Sequence, residues 1–128
     1  MNKKVVITGA VLIMLAVILG AFGAHSLKEV ISEKSLASYE VGVRYQIYHG
    51  LALLIIGFSS DKLSFDLKWA HRIMLTGVLL FSCSIYLLSI QSLLGVELNF
   101  LGPVTPLGGV LIIASWVILI KNLLSQKK

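Results

Sequence analysis

The sequence predicts an all-α integral membrane protein, a four-helix up-down bundle with both termini in the cytoplasm. Three observations carry that reading. First, 57% of the 128 residues are apolar and only 13% are charged, against roughly 45–50% and about 25% in a soluble domain. So few charged side chains cannot cover the surface of a water-soluble domain of this size. Second, the charges fall in clusters separated by long uncharged runs. Third, the basic residues divide unequally between the two sides that those runs define.

The first span runs from Val5 to Ala24, twenty residues without a charge, the length a helix needs to cross about 30 Å of hydrocarbon at 1.5 Å per residue. A secretory signal peptide is its rival, since Lys3 and Lys4 precede the run and Ala21-Phe22-Gly23-Ala24 closes it with small residues. The apolar remainder of the chain could not then fold as a soluble mature protein. Ser26 and Glu29 have capping-box spacing, so a short interfacial helix is expected over about 26–33. The second span is expected from about Leu36 to Ser60 and the third from Trp69 to Gln91, with His71 and Arg72 beside Trp69 as an interface anchor. The stretch Ser92 to Leu101 is strongly apolar for a loop and is expected to lie in the interface or partly re-enter the bilayer. The fourth span opens at Thr105-Pro106, with threonine as N-cap and proline at the first helical position, and ends near Lys121.

Lys3, Lys4, Lys62, Lys68, Arg72, Lys121, Lys127 and Lys128 then lie on one side, and only Lys28, Lys34 and Arg44 on the other. The excess of basic residues marks the cytoplasmic side of a bacterial cell membrane. No loop is long enough for a second domain, so residues 1–128 form one membrane domain. Ala16, Gly20 and Ala24, spaced by four, give a candidate helix-packing face.

Once sorted by side, the unusual polar residues gather on the outer rim: His25, Glu40, Arg44, Tyr45, Tyr48, His49 and Thr105. On the second helix a step of four stacks Glu40, Arg44 and Tyr48 on one stripe, and Tyr45 with His49 on another. Glu40 and Arg44 form either a solvated pair of small value or an inward-facing anion site near the start of the fourth helix, whose first turn carries partial positive charge. His25 and His49 could be two metal ligands, but a two-histidine site needs further donors. They read more simply as groups bonded to backbone carbonyls, and no metal or cofactor is expected. The lone Cys83 excludes an intramolecular disulfide.

Four segments carry a resemblance: Gly20-Ala21-Phe22-Gly23-Ala24-His25; Tyr39 through His49 (YEVGVRYQIYH); Leu80 through Leu87 (LFSCSIYL); and Thr105-Pro106-Leu107-Gly108-Gly109. In this order they resemble the domain-of-unknown-function 423 family, which includes transmembrane protein 256. The resemblance spans nearly the whole chain. It implies a small multi-pass membrane protein, bacterial in most members, with no settled activity.

The acidic residues are all expected in loops or at the rim, which removes paired intramembrane carboxylates and leaves Ser82 or Ser84 without a nearby base. No exposed basic stripe suits nucleic acid. The leading expectation is a non-enzymatic bundle that binds a membrane lipid, a membrane protein or a second copy through the outer rim. The alternatives are an oligomeric channel lined by Thr76, Ser82, Ser89 and Ser115, and a membrane scaffold assembled through the Ala16, Gly20, Ala24 face.

Overall fold

The computed structural model describes residues 1–127, and Lys128 lies outside the described residues. Four long helices follow one another: α1, Lys3–His25; α2, Glu33–Phe58; α3, Lys68–Leu94; and α4, Val104–Ser125. Each connection holds one 3₁₀ turn, at Leu27–Glu29, Ser60–Lys62 and Asn99–Leu101. All four helices are long and apolar enough to cross a membrane.

The helix starts differ from the expected ones for local reasons. Asn2 caps α1, its side-chain oxygen accepting from Val5 N at 3.3 Å. Ser26 makes no capping bond, and the expected interfacial helix over 26–33 shrinks to the three-residue turn Leu27–Glu29. The working cap is Ser32, whose Oγ accepts from Ser35 N at 3.1 Å and starts α2 at Glu33. Pro103, fixed at φ −67°, precedes α4, so Thr105 lies inside the first turn and is not the cap. The apolar stretch after α3 is a tight turn followed by a 3₁₀ turn. Gly95, at φ +65°, ends the helix in the left-handed region. Gln91 Oε1 then accepts from Leu98 N at 2.8 Å and folds the loop back on the helix end, leaving Val96 and Phe100 exposed.

Cross-helix contacts place α2 and α3 at the centre. Ser82 of α3 donates to Gly42 O of α2 at 2.8 Å, α1 packs on one flank through Gly9 against Gly50 O, and α4 packs on the other through Gly108 against Gly77 O. Buried Val5 and Leu12 of α1, Leu53 of α2, Met74 and Val78 of α3 and Ile112 and Leu119 of α4 form the main apolar core.

The packing face of α1 is not the one spaced by four. Its buried residues, Val5, Gly9, Leu12, Ala16 and Gly23, follow steps of three, four and seven, the 3.5-residue period of left-handed helix pairs. Ala16 belongs to that face, a Cβ on Gly20 would meet only Val43 at 3.4 Å, and Ala24 is exposed. A Cβ on Gly9 would stand 2.6 Å from Gly50 O. Glycine on both sides lets these backbones meet, as van der Waals packing in lipid demands.

Asn2 and Gln126, near the two ends of the described chain, dock on the end of α2 and the α2–α3 connection. Asn2 N donates to Gly57 O at 2.9 Å, the Met1 amino group pairs with Asp61, and Gln126 accepts from Ser64 N and donates to Lys62 O, each at 3.1 Å. At this end Trp69 is 62% exposed, with Lys68 and Arg72 about its ring at 5.8 and 5.7 Å. His71 leaves that anchor and turns inward, its Nε2 lying 3.0 Å from Thr8 Oγ1. The Thr8 hydroxyl donates to Lys4 O at 2.9 Å, so the imidazole Nε2 carries the donated hydrogen.

The glycine contacts set a stability prediction. A Cβ on Gly108 collides with Phe81 N, whereas one on Gly109 meets nothing nearer than Phe81 Cδ2 at 3.8 Å. Unfolding in mixed micelles is expected to show Gly108→Ala destabilised by about 1–3 kcal/mol through overpacking. Gly109→Ala is expected to be neutral or stabilised by up to about 1 kcal/mol of helix propensity.

Candidate functional site

The polar residues of the chain concentrate in the first two-thirds of α2, and helix register decides where each goes. Tyr39 Oη donates to Leu19 O at 2.6 Å and Gln46 Nε2 donates to Leu12 O at 2.8 Å. Residues 39 to 46 of α2 are therefore level with residues 19 to 12 of α1. That is the middle of the uncharged Val5–Ala24 run, so the expected rim residues of α2 lie deeper than a rim.

They divide three ways. The inward set is Tyr39, Gly42 and Gln46, facing α1 and α3. Tyr86 of α3 donates to Gln46 Oε1 at 2.7 Å, and its ring lies 5.1 Å from that of Tyr39. Gln46 is buried and sits at the hub, its oxygen bonded to α3 and its nitrogen to α1. A carboxamide is the one neutral side chain in this cluster that both donates and accepts through separate atoms. No buried side-chain nitrogen or oxygen among the described residues lacks a partner, as hydrocarbon surroundings require.

The second set faces α4. His49 is buried, with Nδ1 2.8 Å from Tyr45 O. Trp116 Nε1 donates to its Nε2 at 3.0 Å. An indole N–H can only donate and a carbonyl can only accept, so Nδ1 carries the hydrogen and Nε2 the lone pair. Both ring nitrogens are used. Tyr45 stacks beside His49 and lies 4.9 Å from the Phe81 ring. His25 is exposed at the end of α1, beyond the level of Tyr39, since Gly23 already packs on that ring. Ten residues of α2 separate Tyr39 from His49, about 15 Å at 1.5 Å per residue. The two histidines do not meet.

The third set, Glu40, Arg44 and Tyr48, points out of the bundle, and all three are exposed. Glu40 and Arg44 are not paired, because the only ion pair among the described residues is Met1 with Asp61. Arg44 does not face inward and does not reach the start of α4. Glu40 is thus a carboxylate within a span, not in a loop or at the rim.

Thr105 bonds Ser84 Oγ at 2.6 Å and lines a cleft of about 430 Å³ between α2, α3 and the start of α4. Lys34, Ser35 and Ser38 form one wall, and Ile85, Leu88 and Ser89 the other. Of these six the sequence singles out Ser89, as a channel-lining candidate; for the α2 wall the available signal is the hydroxyl-rich Lys34-Ser35-Leu36-Ala37-Ser38 turn. Of the residues expected to line a channel, Ser82, Ser89 and Ser115 are buried and each donates to a backbone carbonyl, whereas Thr76 is exposed.

Comparison with known proteins identifies the family. The family model described as "Protein of unknown function (DUF423)" matches residues 19–109. The chain belongs to this family. The matched segment holds the whole of α2 and α3, the central pair, together with the opening turns of α4. Among similar proteins, the UPF0382 membrane protein of Staphylococcus haemolyticus is 42% identical over 118 residues, covering 92% of this chain and 93% of its own. A Staphylococcus aureus counterpart is 44% identical with the same coverage. UPF0382 membrane protein YwdK of Bacillus subtilis is 42% identical over 120 residues, covering 92% of this chain and 94% of its own. No solved structure matches. With four spanning helices and relatives named as bacterial membrane proteins, the chain is a small multi-pass protein of the bacterial cell membrane.

The Gln46 hub predicts strong coupling. Gln46→Leu strands the Tyr86 hydroxyl and is expected to cost about 1–3 kcal/mol, the penalty of an unsatisfied buried group. Tyr86→Phe is expected to cost less. Combined, the two substitutions are expected to cost clearly less than their sum when unfolding is followed in micelles.

Proposed function

We propose that this protein is a non-enzymatic bundle that binds a phospholipid headgroup in the cleft at the end remote from the termini. With Arg44 inside a span, eight basic residues toward the end that holds the termini against Lys28 and Lys34 at the other support the outer leaflet as its location. The observation that carries the reading is the mixed chemistry of the cleft. Lys34 supplies a cation for a phosphate, Ser35 and Ser38 supply hydroxyls, and Ile85 and Leu88 supply apolar surface for the glycerol and first methylenes. At about 430 Å³ it falls within the range of small-molecule pockets. Its lip lies where the polar start of α2 meets the headgroup region.

The α3 and α4 hydroxyls around this cleft are tied down rather than activated. Ser84 bonds Thr105 and Phe81 O, and Ser89 donates to Ile85 O. Both nitrogens of His49 are spent on Tyr45 and Trp116, so it offers no basic nitrogen to a nucleophile. The Thr8 hydroxyl beside His71 gives its hydrogen to Lys4 O. Among the described residues no nucleophile is hydrogen-bonded to a free base, which supports binding over catalysis.

Native mass spectrometry of the protein released from mild detergent tests the proposal. The wild type is expected to retain phospholipid, and Lys34→Gln combined with Ser38→Leu, which removes the cation and fills the cleft, is expected to lose it. A wild type that emerges bare, or a double variant that keeps its lipid, would sink the proposal.

A further inference from the structure

The outward face of α2 has no partner within the chain, and its pattern is that of a helix–helix seam. Val41, Arg44, Tyr48, Leu51, Ile55 and Phe58 follow one another in steps of three and four. All are exposed except Val41, which is half-buried. A 3–4 alternation sustained over these turns is what a second helix needs in order to pack along the first.

Charge makes the seam specific. Arg44 lies between the α2 residues that bond Leu12 O and Leu19 O of α1, level with the centre of an uncharged run of twenty residues. The headgroups are then about 15 Å away on either side, ten residues at 1.5 Å each, which is too far for the side chain to snorkel. Glu40 lies one turn away on the same outward side, and neither is paired. Ionised groups at this depth persist when they meet an opposite charge out of contact with lipid. A lipid phosphate does not reach the bilayer centre, and it would leave Glu40 unmatched.

We infer that the Glu40–Arg44 ridge of α2 is the interface on which a second copy of this chain docks. The ridge carries one charge of each sign, so it is complementary to itself. Two copies sharing one membrane orientation and related by a two-fold axis along the membrane normal bring their α2 helices side by side and parallel. Arg44 of each copy reaches one turn along to Glu40 of the other, which makes two reciprocal pairs from one patch, as an isologous interface requires. Leu51, Ile55 and Phe58 continue the contact in the apolar half of α2. This inference is independent of the lipid cleft, which opens between α2, α3 and α4 on another face.

Charge reversal in trans tests it. In phosphatidylcholine vesicles, energy transfer between labelled copies is expected to report a dimer for the wild type. Glu40→Arg alone and Arg44→Glu alone place like charges opposite each other, and each is expected to raise the dimer dissociation constant about tenfold or more. Mixing these two single variants re-creates both opposite-charge pairs and is expected to restore transfer between them. A folded wild type that is monomeric, single variants that dimerise undiminished, or a mixture that stays monomeric would each overturn the inference. Dimers that form only when a different protein or an added anionic lipid is present would overturn it too. Should either reversed variant fail to fold, oxidation of Tyr48→Cys in a Cys83→Ser background decides. A disulfide-linked dimer supports the seam, and its absence, or equal linking of Ile18→Cys on the exposed side of α1, overturns it.

Discussion

A helix that crosses hydrocarbon must find partners for every polar group it brings, and α2 brings many. Between Tyr39 and His49 it carries tyrosines, a glutamine, a histidine and two unlike charges where α1 carries only apolar and small residues. The Gln46 carboxamide is the contact on which the bundle turns. It joins Leu12 O of α1 to the Tyr86 hydroxyl of α3, so three helices are held in one register at mid-depth. Water is not present there to compete, and an unmade bond would be lost outright. Placing α2 beside α3 in the centre, with the more uniformly apolar α1 and α4 outside, follows from that requirement.

Those polar bonds are possible only because the backbones are close. Tyr39 and Gln46 reach carbonyls of α1 that already accept a bond from their own helix, which requires side-chain donors to approach the helix surface without an intervening Cβ. Gly9 and Gly50 provide that approach at one level, and Gly23, beneath the Tyr39 ring, provides it at another. On the opposite flank Gly77 and Gly108 bring α3 and α4 together in the same way, and the Ser84–Thr105 bond closes the pair above them. Glycine contacts and polar bonds therefore depend on each other: lipid supplies little drive for apolar surfaces to associate, so close packing and satisfied donors must do it jointly.

The number of helices and their approximate lengths were legible in the sequence, because long uncharged runs have one physical meaning in a chain this apolar. Register was not. Ala16, Gly20 and Ala24 are spaced as small residues often are on apolar helices, yet the face in use repeats every seven residues through Gly9, Ala16 and Gly23; choosing between them needs the partner helix. The depth of α2 was misjudged because polar residues were assigned to a rim by composition, whereas the bonds from Tyr39 and Gln46 to α1 carry them to mid-span. A backbone carbonyl as the partner of His49 is legible from its place on a helix, and Tyr45 O supplies it; the bond from Trp116, 67 residues away, to its second nitrogen is not. A lone glutamine in an apolar run carries no sequence signal of its own. Its spacing of seven from Tyr39 was the available clue.

The three directions taken by the polar residues of α2 can be ordered by how completely each is satisfied. The inward set is fully bonded, and the set facing α4 is bonded as well, so both are explained by the folding of a single chain. The outward set is different, since Glu40 and Arg44 stand exposed and unpaired at mid-span on a helix whose buried polar side chains all have partners. A chain that needed only to fold would be more stable in lipid with leucine at both positions, because intramembrane charges are expensive and apolar residues are not. Stability of the isolated bundle therefore does not explain them. What they add is a directional charge pattern on a face that is otherwise built for helix packing, and such a pattern has physical meaning only against another surface.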